Sequence, residues 1–158
     1  MKTQLKTPVG WLEISAIDQG ITRIDFVRTL TSTPSPSSLK GTGRHLSQAR
    51  TQLVEYFSGR RRKFTLRLAP QGTVFQKKVW LALTQIPYGK TLSYKEVASR
   101  IRSPRAVRAV GGANGRNPIS IVIPCHRVIA SGGGLGGYSG GNGLPTKRRL
   151  LNHEQNNG

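Results

Sequence analysis

The chain reads as an α/β protein of the α+β type. A small strand-rich N-terminal lobe, about residues 1–70, is expected to pack on a mostly helical C-terminal lobe, 71–158, that carries a helix-turn-helix. Three observations predict this. Strand formers alternate near the N-terminus, in Val9–Ala16 and Ile21–Val27. The character changes after Ala69-Pro70-Gln71-Gly72, where apolar residues recur at helical spacing. Beyond that point short segments open on Ser caps and carry arginines rather than acids.

The elements follow in order. Val9–Ala16 and Ile21–Val27, joined through Gly20, predict a hairpin. Residues 29–43, rich in Pro, Ser and Thr, predict a loop. Leu46, Ala49, Leu53, Val54 and Phe57 predict a helix that Gly59 stops. Arg60-Arg61-Arg62-Lys63 is a solvated or weak DNA-contact patch rather than a specific site, and Phe64–Leu68 alternates as a third strand. Phe75, Val79, Trp80 and Leu83 mark a helix from about Thr73, and Pro87-Tyr88-Gly89 a turn. Ser93 caps a helix over 94–101, with Glu96 completing a capping box. Ser103 is expected to cap a second helix from Pro104 to about Ala113. Ile119–Ile123 predicts a short buried strand, followed by Val128-Ile129. Ser131–Gly143 holds 8 of the 19 glycines. A last helix runs from Leu144 to about Glu154. Trp11 and Trp80 are expected in the core, His45 and His153 at the surface.

Composition narrows the function. The 158 residues hold 25 Lys and Arg against 6 Asp and Glu, a formal net charge of +19. Residues 56–158 carry 18 basic and 2 acidic side chains, and none from Val97 to His153 is acidic. Such an excess implies a polyanionic partner. No apolar run suits a membrane span or a signal peptide, and one cysteine excludes an internal disulfide or a thiolate-rich zinc site. The expected setting is the reducing cytoplasm. The glycine-rich stretch lacks the strand–loop–helix order and the lysine of a phosphate-binding loop.

Cys125-His126 is the candidate for chemistry. A thiolate is a strong nucleophile and an imidazole can take its proton. Adjacent side chains on a strand point apart, so the pair couples only through a turn or a bridging water, and Pro124 suits a turn. From the residues alone, Cys125 is either a buried apolar group or a reactive thiol.

Ile123-Pro124-Cys125-His126-Arg127-Val128-Ile129, preceded by Gly111-Gly112-Ala113 and Asn117-Pro118, resembles the active-site signature of the O6-alkylguanine-DNA alkyltransferases, the methylated-DNA–protein-cysteine methyltransferases. Pro87-Tyr88-Gly89, Ser93-Tyr94, Arg105–Ala113, Gly137-Tyr138-Ser139-Gly140-Gly141 and Lys147–Glu154 match in order, from about Phe75 to Glu154. The first lobe resembles the family only loosely. Asn142-Gly143 lengthens the stretch before the last helix relative to shorter members, so Lys147 and Glu154 are placed by the Leu-Leu-x-His-Glu ending. The zinc site of some relatives' first lobe is excluded here.

The resemblance implies direct-reversal repair: irreversible, single-turnover transfer of the alkyl group from O6-alkylguanine to Cys125, with O4-alkylthymine as a weaker substrate. It implies no cofactor and no metal. His126 would act through water as the base, Glu154 would orient it and favour its cation, and Asn117 would hold the turn before the Cys segment. The nucleotide would be flipped from the duplex, with Arg108 filling the gap and Gly111, Gly112 and Ala113 allowing close minor-groove approach. Tyr94 would help rotate the nucleotide and donate to the base. Tyr138 and Ser139 would wall the pocket, and the backbone of Cys125 and Val128 would read the guanine amino edge. Lys95, Ser103 and Ser131 would contact phosphates. The partner is double-stranded DNA carrying the lesion; no membrane and no obligate protein partner are expected, and the protein is expected to act as a monomer. The alternative is a non-catalytic lesion-sensing DNA-binding protein, which would lack the cysteine. A helix-turn-helix regulator would leave Pro-Cys-His-Arg unexplained, and a cysteine hydrolase would need no DNA.

Overall fold

A computed structural model of the chain describes residues 1–30 and 41–157. They form two compact units, Met1–Gln71 and Gly72–Gly158. The mixed α/β class read from the sequence is the one observed.

The first unit is a three-stranded antiparallel meander, β1 (Lys2–Thr7), β2 (Gly10–Ile17) and β3 (Gly20–Val27), with one long helix, α1 (Gly41–Phe57). The register pairs Leu5 with Leu12 and Ile14 with Ile24. Leu12, Ile14 and Ile24 are fully buried, as are Leu46, Leu53 and Tyr56 of α1, which packs on the sheet. The hairpin follows its alternation. Gly20, between β2 and β3, has φ +142°, and a Cβ there would stand 2.4 Å from the Arg67 carbonyl oxygen, so only glycine fits.

Four expectations change in this unit. β1 has no apolar alternation to announce it; its polar Thr3 and Gln4 are buried because pairing with β2 carries them in, and Arg50 donates to the Thr3 hydroxyl (3.3 Å) and to the Gln4 carbonyl. Phe64–Leu68 is not a sheet strand but makes one parallel bridge, Ile21 to Leu68. Its Thr65 N–H is taken by the Gln52 side chain (2.9 Å), and Pro70 brings no N–H, so a ladder cannot extend at either end. Of the loop read over 29–43, residues 31–40 lie outside those described, while Gly41–Gly43 belong to the first turn of α1. Trp11 is partly exposed rather than core, whereas Trp80 in the second unit is 2% exposed.

The second unit contains α2 (Val74–Thr84), β4 (Leu92–Ser93), α3 (Tyr94–Arg100), α4 (Val107–Gly115), a 3-10 turn at Cys125–Arg127, β5 (Val128–Ile129) and α5 (Leu144–Asn156). Complete capping boxes start α2 (Thr73 with Gln76) and α3 (Ser93 with Glu96). The Trp80 indole N–H donates to the Ala113 carbonyl at 2.8 Å, tying α2 to α4. β4 and β5 pair in parallel, which sets the start of α3 beside the residues after the Cys turn.

α4 begins three residues later than its sequence suggests, and Ser103 does not cap it. Arg102 reverses the chain with φ +60°, and the Ala106 N–H bonds the Ser103 carbonyl at 2.9 Å. That closes a turn whose second position suits the fixed φ of Pro104. Ile119–Ile123 is not a strand. Its N–H groups bond backward over short spans, Ile123 to Ile119 (3.0 Å) and Cys125 to Ile123 (2.8 Å), and Ile121 has φ +73°. The apolar run signals burial, and buried Ile119, Ile121 and Ile123 meet it in coiled form.

Candidate active site at Cys125

α5 supplies one wall. Lys147, Leu150, Leu151 and Glu154 recur at helical spacing and are all buried, so two charged groups share the inward face with two leucines. The Cys turn supplies the other wall. In a 3-10 turn successive side chains project about 120° apart, so neighbouring residues can face different partners.

His126 and Arg127 both reach Glu154. The His126 Nε2–H donates to Glu154 Oε2 at 2.7 Å. Arg127 grips the same carboxylate through two bonds, Nε to Oε1 at 2.8 Å and Nη2 to Oε2 at 3.0 Å. Its Nη1 donates to the Ile86 carbonyl at 2.7 Å, and the guanidinium lies 5.7 Å from the Tyr88 ring centroid. The Gly89 N–H adds a fourth donor to Glu154, at 3.3 Å. His126 and Glu154 are wholly buried. Burial alone would raise the Glu154 carboxyl, but the bonds and charges of His126 and Arg127 outweigh it and hold the group well below the usual carboxylate range.

The resemblance implied that Glu154 favours the cation of His126. Burial works the other way, with the charges of Arg127 and Lys147, and the imidazole is lowered from its ordinary value. The resting ring is therefore neutral, with its proton on Nε2 facing Glu154 and a lone pair on Nδ1. Arg127, not His126, is the standing counter-charge of Glu154.

Cys125 is 6% exposed. Burial pushes its thiol up, against the opposing effects of the Asn117 side chain, the Lys147 charge and the N–H groups of Cys125 and His126. It rests as a thiol and needs a base, while those same groups stand ready to hold the thiolate. Asn117 braces the turn before it: its Nδ2 donates to the Ile123 carbonyl at 2.7 Å, and its Oδ1 accepts from the Ile119 N–H at 2.9 Å. Lys147 donates to the carbonyls of Val128 (2.6 Å), Gly137 (3.2 Å) and Leu135, which ties the glycine-rich segment to β5.

Burial raises the phenols of Tyr94, at the start of α3, and of Tyr138, and a thiolate on Cys125 would raise both further, so each stays a proton donor. Gly136, with φ +71°, lets the glycine-rich segment close on Tyr94; a Cβ there would stand 2.9 Å from the phenol oxygen. Val128 is buried, and its carbonyl already accepts from Lys147. Ser139 is exposed, with its hydroxyl 3.5 Å from the Gly115 carbonyl. Arg108, Lys95 and Ser131 are exposed and Ser103 is half-buried; none of their side chains bonds to the Cys125 cluster.

Arg127, Lys147 and Asn114 escaped assignment from the sequence. The scarcity of acid was the available signal: with Glu96 and Glu154 the only carboxylates after residue 55, and Glu96 used in a cap, any buried cation of this unit has one carboxylate to find.

The family described as "6-O-methylguanine DNA methyltransferase, DNA binding domain" matches residues 74–156, and "6-O-methylguanine DNA methyltransferase, ribonuclease-like domain" matches residues 1–70. A methylated-DNA--protein-cysteine methyltransferase of Methanosarcina barkeri (strain Fusaro / DSM 804) is 46% identical over 97% of this chain and 96% of its own. The constitutive methylated-DNA--protein-cysteine methyltransferase of Bacillus subtilis (strain 168) is 42% identical over 97% of this chain and 94% of its own. The crystal structure of Mycobacterium tuberculosis OGT in complex with DNA is similar with TM-score 0.85 and 41% identity, covering 98% of this chain and 92% of that one.

Proposed function

This chain belongs to the 6-O-methylguanine DNA methyltransferase family, and from that premise we propose that it repairs O6-alkylguanine in DNA by one irreversible transfer of the alkyl group to Cys125. The observation that carries the reading is the buried thiol on a 3-10 turn whose next residue is an imidazole locked onto a buried carboxylate.

The Cys125 proton passes through water to His126 Nδ1, the lone pair left by the Nε2–H bond to Glu154. The imidazolium keeps its Nε2–H bond to the Glu154 carboxylate, whose charge stabilises it, while Lys147 and Asn117 stabilise the thiolate. The sulfur attacks the alkyl carbon, an S–C bond forms, the C–O6 bond breaks and its electron pair stays on the guanine. Tyr94, kept protonated by burial, donates to the departing base. The Tyr94 proton passes to the base, the imidazolium proton returns through water to the Tyr94 oxygen, and the net change moves one proton from thiol to guanine and leaves a thioether. No step regenerates the thiol, so each chain acts once.

The lesion is buried in the duplex, which calls for nucleotide flipping at a cost of a few kcal/mol. Arg108, exposed on α4, is the side chain proposed to fill the gap, with Lys95, Ser103 and Ser131 on phosphates. Gly112 supports close approach: a Cβ there would meet nothing within 4 Å inside the chain, so any demand for glycine comes from an outside surface. Tyr138, Ser139 and the Val128 backbone are proposed to line the base pocket. O4-alkylthymine would enter the same pocket as a poorer fit.

The test is mass spectrometry of the protein mixed with duplex DNA carrying a single O6-methylguanine. The expected result is a gain of one CH2 on the Cys125 peptide, saturating at one per chain. Bound lesion without mass gain would mean a sensor; repeated turnover would mean a different chemistry.

A further inference from the structure

Two buried acceptor atoms near the thiol meet no donor among the described residues, Asn114 Oδ1 and His126 Nδ1. Asn114 lies on α4 and is 5% exposed. Its Nδ2 donates to the Cys125 carbonyl oxygen at 3.5 Å, the outer limit of such a bond. That contact decides which way the amide faces, because the reversed amide would set two oxygens against each other. Oδ1 is therefore the atom turned away from the carbonyl. The Cys125 carbonyl and the His126 nitrogen belong to one peptide unit, so both unserved acceptors are anchored at the Cys125–His126 link. A buried amide acceptor without a donor is costlier than an apolar side chain of the same shape. A water molecule has the two hydrogens that serving both acceptors requires.

We propose that Asn114 is a positioning residue for alkyl transfer: its Oδ1 accepts one hydrogen of the water that carries the Cys125 proton to His126 Nδ1. This rests on the reading of Cys125 as alkyl acceptor and His126 as its base. The thiol proton goes to the water oxygen, and the water hydrogen aimed at the imidazole moves to Nδ1. The hydrogen held by Asn114 stays on the water, which is regenerated. A neutral amide suits this position, because it orients the water without competing for the proton. The thiol is faced by Asn117 and Lys147, and by Tyr94 and Tyr138; the imidazole by Glu154, Arg127 and Lys147. No hydrogen bond from these groups reaches Asn114 Oδ1.

The test is single-turnover transfer by the full chain from a duplex carrying one O6-methylguanine, in H2O and in D2O. Asn114→Leu keeps the shape and removes the acceptor. It is expected to slow transfer about tenfold, the rate equivalent of one lost hydrogen bond, and to change the solvent isotope effect, with duplex affinity unchanged. Asn114→Ser, which restores an acceptor and leaves room for water, is expected to recover most of the rate. If the Leu variant does not fold, Asn114→Ala against Asn114→Ser makes the same comparison, Ala slow and Ser near the parent. A parent rate indifferent to D2O overturns the relay. So does a Leu variant with the parent rate, or Leu and Ser variants equally slow with the parent's isotope effect, which would leave the amide only a brace for the turn. Failure of the underlying reading shows separately, as a Cys125 peptide that gains no mass or as a His126→Gln variant at the parent rate.

Discussion

At the residue scale the decisive group is Glu154. It accepts from His126, Arg127 and Gly89, and a buried carboxylate is tolerable only because the Arg127 fork neutralises it. Arg127→Met keeps length and apolar bulk but strips the counter-charge. It is expected to lower unfolding free energy by about 3–5 kcal/mol, read from urea denaturation; a loss under 1 kcal/mol would mean that the pair behaves like a surface ion pair. Arg108 sits at the opposite extreme, exposed and without a side-chain bond to the described residues. Arg108→Ala is expected to leave stability alone and slow transfer from duplex DNA far more than reaction with free O6-benzylguanine. Equal slowing on both substrates would remove Arg108 from flipping.

At the element scale, local chemistry and distant contacts divide the work. α3 is short, and both halves of its capping box are present, Ser93 Oγ accepting from Glu96 N–H at 3.0 Å and Glu96 Oε1 accepting from Ser93 N–H at 3.1 Å. Ser93→Ala is expected to cost about 1 kcal/mol, the usual worth of a cap, measured as a drop in the urea midpoint. An unchanged midpoint would show that α3 is held by packing of Val97 and Ala98 alone. The box was legible because it lies within four consecutive residues. The start of α4 was not, because Ser103 and Pro104 fit a helix start and a tight turn equally well, and the positive φ of Arg102 selects the turn. Phe64–Leu68 has strand periodicity yet pairs at one point, since Gln52, on a different element, takes the N–H that a ladder would need. β1 shows the converse: a polar sequence becomes a strand because β2 offers it an edge.

At the scale of the whole molecule, acid should destabilise the fold in two stages. The His126 pKa is lowered by burial, so below the ordinary value of 6.5 the unfolded chain binds a proton that the folded chain resists. The Glu154 pKa is lowered by its partners, so below the ordinary value of 4.5 the unfolded chain takes up a second proton first. In both cases the unfolded state binds more protons, and stability falls as pH falls. Urea midpoints are expected to decline steadily from pH 7 to pH 4, and Glu154→Gln should flatten the lower part. A midpoint that rises on acidification would reverse the assigned signs.

The α/β class, the hairpin of β2 and β3, the helix start at Ser93 and the Pro-Cys-His-Arg motif were all decided by neighbours in the chain: alternation, caps and a contiguous signature. Glu154 was legible through that same signature, by resemblance, but its partnership with Arg127 was not. Burial of Lys147 and the unserved acceptor on Asn114 belong to the same class. Each depends on which groups meet across long stretches of chain, as Gly89 meets Glu154. A local pattern records the backbone preferences and burial of its own residues. It carries no record of the charge or donor that packing will bring against them, and in a buried site those partners set protonation, orientation and therefore reactivity.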